Sequence, residues 1–78
     1  MKVIHTRHSR DRMTQRGVTE EEVLFVLLNC HSSFPGNPNG TQYVGTILGK
    51  SDLVVCVTQD SSLNGTVVIK SVFWREGE

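Results

Sequence analysis

Residues 16–23, Arg-Gly-Val-Thr-Glu-Glu-Glu-Val, place a helix stop directly before a helix start. Gly17 suits the position just past a helix end, because glycine enters the left-handed backbone region without steric cost. Thr19 and Glu22 stand at capping-box spacing, and Val18 and Val23 at hydrophobic-staple spacing, so a second helix begins at once. Three acids in its first turn complement the helix dipole. This punctuation commits the first thirty residues to two short helices, near 7–16 and 20–30. Thr6 or Ser9 can cap the first, and Met13 is its core residue. On the second, Val23, Val26, Leu27 and Cys30 share one face, with Leu24 and Leu28 beside it, while Phe25 falls roughly opposite.

The rest of the chain has a different period. Residues 31–41 are dense in Ser, Pro, Gly and Asn and read as a loop. Runs 42–48, 53–59 and 66–74 are rich in Val, Ile, Thr and aromatic residues, and the gaps at 49–52 and 60–65 have hairpin lengths. Short links favour an antiparallel meander covered by the helices on one face. The expected fold is therefore α+β, with two N-terminal helices packed on a three- to four-stranded antiparallel sheet, in one domain spanning 1–78. Residues 2–5 read either as a short leading strand or as an extended arm. Val55, Val57, Val67 and Ile69 join Val23, Val26 and Leu27 in the expected core. In the last run both alternating sets contain apolar residues, which suits a central strand or one facing a partner. A chain of this size buries only roughly 60% of its unfolded surface. With Phe25 turned outward, a homodimer or higher homo-oligomer is expected.

Charge is unevenly spread. Lys2, Arg7, Arg10, Arg12 and Arg16 stand against Asp11 in residues 1–17, a balance of +4. The remainder carries Lys50, Lys70 and Arg75 against Glu20, Glu21, Glu22, Asp52, Asp60, Glu76 and Glu78, a balance of −4. A neutral total hides a basic beginning, which points to an anionic partner. On the first helix His8, Arg12 and Arg16 recur at i, i+4 and i+8, with Gln15 nearby. Arginine's planar fork matches phosphate, and histidine moves protons near neutral pH. Such a row can hold an RNA phosphate through Arg12 and Arg16, with His8 as the catalytic acid–base group. Equally, these arginines can pair with Glu20, Glu21 or Glu22 and be structural.

Other chemistry finds little footing. His5, His8 and His31 with Cys30 and Cys56 have no zinc spacing, and no nucleotide-binding or nucleophile motif is present. No metal or cofactor is expected. Both cysteines read as free thiols, and Tyr43 and Trp74 as packing residues. No apolar run approaches the ~18 residues of a membrane span, and the opening residues lack a signal-peptide core. A cytoplasmic protein without membrane contact is expected.

The stretch His8-Ser-Arg-Asp-Arg12-Met13-Thr-Gln-Arg16-Gly17-Val18-Thr19-Glu-Glu-Glu22-Val23 resembles the opening motif of the small "domain of unknown function 4258" family. Tyr43-Val44-Gly45 and the run from Val67 to Trp74 are similar to its sheet. Its layout is similar to that of small metal-free ribonuclease toxins of the RelE-like and barnase-like kind. The resemblance implies an RNA-binding domain or toxin-type endoribonuclease, with RNA and a cognate antitoxin-like protein as partners. The scarcity of lysine departs from a ribosome-dependent nuclease. The alternative expectation is a non-catalytic interaction module that homo-oligomerises through its sheet or its second helix.

Overall fold

The computed structural model describes residues 2–35, 40–58 and 66–75. The chain runs β1 (Lys2–His5), α1 (Arg7–Arg16), α2 (Glu20–Asn29), β2 (Ser32–Pro35), β3 (Thr41–Thr46), β4 (Asp52–Val57) and β5 (Thr66–Trp74). The expected turn at 60–65, the loop tip at 36–39 and the end of the 53–59 run at residue 59 lie outside the described residues.

Both helices form where their caps dictate. Thr6 is the N-cap of α1, and its hydroxyl accepts from the Ser9 backbone N–H. Gly17 closes the helix at φ 66°, with its N–H on the Met13 carbonyl. The capping box of α2 is complete: the Thr19 hydroxyl accepts from Glu22 N–H, and the Glu22 carboxylate accepts from Thr19 N–H.

The sheet corrects the expected one. It has five strands in the order β1-β5-β4-β3-β2, not three or four, and the β1–β5 pair is parallel. Hairpin reasoning links only sequence neighbours, whereas β1 and β5 are first and last. The helices carry the chain across the sheet from the β1 edge to the β2 edge, and the meander β2-β3-β4-β5 returns it to β1. The second correction concerns 32–35, read as loop for its Ser and Pro content. These residues form the edge strand β2, antiparallel to β3 with Phe34 opposite Gln42. An edge position tolerates proline because one side of the strand needs no ladder bonds.

Strand β5 also settles why both of its faces are apolar. Ile69 stands opposite Val57 and Ser71 opposite Cys56, so Lys70 is the extra residue of a bulge. A one-residue insertion reverses which alternate side chains face inward. Val67 and Ile69 face the helices before the bulge, and Val72 and Trp74 after it. The strand is central, between β1 and β4.

Helix α1 packs over β5 and α2 over β3 and β4. Between them lies one core of Met13, Val18, Val23, Val26, Leu53, Val55, Ile69 and Val72, among others. Leu27 and Val67, expected inside, are half-buried at its margin. Gly45 permits the α2–β3 approach: a Cβ there would lie 3.2 Å from Val26 Cγ2 and 3.3 Å from Val26 Cα. Cys30 and Cys56 are free and half-buried. Burial pushes the Cys56 thiol up, against the opposing pull of Lys70.

Candidate functional site: the outer row of the first helix

Helix α1 presents its outer row because Ser9 and Met13 are buried on the opposite side. Ser9 is fully enclosed, and its hydroxyl donates to the Thr6 carbonyl at 2.9 Å. The Thr6 hydroxyl in turn donates to Ile69 O at 3.0 Å, fixing the start of α1 to β5.

His8 is exposed and Arg12 half-exposed. Arg12 Nε donates to His8 Nε2 across a long 3.4 Å, and its Nη1 donates to Gln15 Oε1 at 2.7 Å. With Nε2 accepting, the ring proton of a neutral His8 sits on Nδ1. His8, Arg12 and Gln15 therefore form one polar chain on the helix surface.

Arg16 continues the row but turns to the sheet. Its Nη1 donates to the Val72 carbonyl at 2.8 Å, while Trp74 Nε1 donates to the Arg16 carbonyl at 2.7 Å. The side chain and the backbone of Arg16 thus both hold the end of α1 to β5. Its Cβ lies about 6 Å from that of Arg12, the spacing of helix residues four apart, but the two guanidinium groups reach different partners. The sequence places the row on one side of the helix but gives no sign of which end meets a strand.

Arg10, on another side of the helix, makes an exposed ion pair with Glu20 at 3.2 Å. His31 stays apart from α1: its Nδ1 is 3.0 Å from Ser32 Oγ and its Nε2 is 3.6 Å from Asp52 Oδ2. His5 faces the helix side of β1, and its buried Nδ1 has no hydrogen-bond partner among the described residues. Among the described residues no group of three or more His, Cys, Asp or Glu is placed to hold a metal ion. Among them, too, no helix is long and apolar enough to cross a membrane.

No protein-family model matches the chain, and neither a curated protein nor a solved structure matches it.

Proposed function

We propose that the outer row of α1 binds RNA phosphate, with Arg12 as the principal phosphate donor and His8 as the proton-transferring group. The observation that supports this reading is the 3.4 Å juxtaposition of Arg12 and His8 on an exposed helix face. Among the described residues Arg12 is anchored only by surface partners, so a phosphate can replace Gln15 Oε1 as its acceptor. Arg16 adds positive potential from a fixed position and is not free to follow a ligand. In the catalytic version, Arg12 turns to the phosphate and releases His8 Nε2, which takes the proton from a ribose 2′-hydroxyl as the ribose oxygen attacks phosphorus. The bond from phosphorus to the 5′-oxygen breaks, that oxygen takes a proton from water, a 2′,3′-cyclic phosphate is left, and the guanidinium stabilises charge on the phosphoryl oxygens. The test incubates the protein with mixed RNA, with and without a chelator. Cleavage that survives chelation and is lost in His8→Ala, with binding retained, is the expected result. Wild-type protein that neither binds nor cuts RNA at low salt would end this reading.

A second reading, an interaction module, is favoured by a separate observation. Leu24, Phe25 and Leu28 on α2 are 40%, 47% and 64% exposed.

A further inference from the structure

The outward side of α2 joins carboxylates to large apolar side chains. Glu20 and Glu21 are exposed at its start, and Leu24, Phe25 and Leu28 follow within two turns. Positions i, i+1 and i+4 lie on one side of a helix. Singly exposed apolar residues are ordinary, but a contiguous group marks an interaction surface. Leu48, on the turn between β3 and β4, extends the group and is 97% exposed.

The helix stands as a ridge between two depressions, and Glu21 lines both. One, of about 440 Å³, runs between Phe25 and Leu48 with Ile47 in its wall. The other, of about 320 Å³, has Val3 and Leu24 as apolar walls and His5, Arg10 and Glu20 at its border. Glu22 is held by Lys50 at 2.7 Å and Glu20 by Arg10 at 3.2 Å. Glu21 has no ion-pair partner among the described residues. The ridge therefore offers apolar area beside an uncompensated carboxylate.

Charge selects the occupant. A second copy pairing α2 against α2 leaves these acids unanswered. A parallel pair sets acids beside acids, and in an antiparallel pair they meet the last turn of α2, which carries no basic residue. A second copy offering α1 supplies arginines, but its Met13 is buried and gives no apolar anchor. An RNA is repelled by the same carboxylates.

We propose that the α2 ridge docks a basic amphipathic segment of another protein. Its apolar side chains seat on Phe25, Leu28 and Leu48, and a lysine or arginine meets Glu21. This inference rests on the interaction-module reading.

The test titrates the isotope-labelled full chain with a synthetic leucine–lysine amphipathic helix, followed by NMR. A control peptide has every lysine replaced by glutamate. Shifts are expected at Glu21, Leu24, Phe25, Leu28 and Leu48, with α1 unmoved and the acidic peptide inert. Glu21→Lys and Phe25→Ser should each weaken binding by about ten-fold or more. Both side chains are exposed, and a thermal melt of each variant checks that the fold is kept. Wild-type affinity retained in both variants, or shifts confined to α1, overturns the proposal. Light scattering separates it from the reading beneath it. A dimer that Phe25→Ser breaks, with no peptide binding, refutes the basic partner and keeps the module. A monomer that binds no peptide refutes both.

Discussion

Arg12 and Arg16 sit one helical turn apart and have different partners, so their substitutions separate. Arg16→Ala removes a charged donor from the Val72 carbonyl and should cost about 1–3 kcal/mol of stability. Arg12→Ala removes only surface contacts and should stay within about 0.5 kcal/mol of wild type. Urea denaturation of both variants checks this, and equal midpoints would mean that the Arg16 tie to β5 contributes nothing. Gly45 gives a second residue-scale expectation. A methyl group there meets Val26 at 3.2–3.4 Å from three atoms, one of them backbone. Gly45→Ala should therefore push α2 from β3 and cost about 1–3 kcal/mol, read from the same denaturation curves. Periodicity put His8, Arg12 and Arg16 on one row, because helix geometry is local. That Arg16 ends on a strand carbonyl depends on where residue 72 lies after folding, which no spacing within α1 encodes.

At the scale of elements, α2 and the β3–β4 turn are locked by Glu22. Burial raises its pKa, but hydrogen bonds from Lys50 and the Thr19 backbone, with the Lys50 charge, outweigh it and hold the carboxyl below its usual range. Lys50 Nζ also lies 5.4 Å from the Trp74 ring centre, so the lock reaches β5. A carboxylate with a lowered folded-state pKa stabilises the protein above its unfolded pKa and stops doing so as pH falls through the folded value. Stability should thus decline as pH drops from about 5 towards 3, and Glu22→Gln should flatten that decline. A Glu22→Gln profile parallel to wild type over this range would remove Glu22 as a source of the acid sensitivity. Both helices were legible because their caps are local chemistry: Thr6, Gly17, Thr19 and Glu22 act on backbone within four residues. Strand β1 was legible only as an alternative, since its pairing with β5 spans the chain. Strand β2 was hidden by Ser and Pro at an edge where propensity decides little, and the Lys70 bulge by its inversion of a regular alternation.

Across the whole molecule, one apolar core carries stability and the charged groups lie outside it. Leu53 is fully enclosed beneath the helices, whereas Leu27 is half-buried at the margin. Leu53→Ala should cost about 2–5 kcal/mol and Leu27→Ala distinctly less, as read from their denaturation midpoints. The division of charge survives folding: the exposed arginine and histidine face is on α1, and the exposed glutamates begin α2. The sequence gives the sign of each face but not that one of its arginines is fixed to the sheet. The most direct measurement follows the affinity of wild type and Arg12→Ala for single-stranded RNA from low to physiological salt. Each neutralised phosphate contributes about −0.7 to the slope of log K against log salt on single strands. Wild type should bind in a salt-sensitive way, with Arg12→Ala weaker and its slope shallower by about 0.7. Wild-type affinity indifferent to salt, or an Arg12→Ala slope identical to wild type, would contradict it.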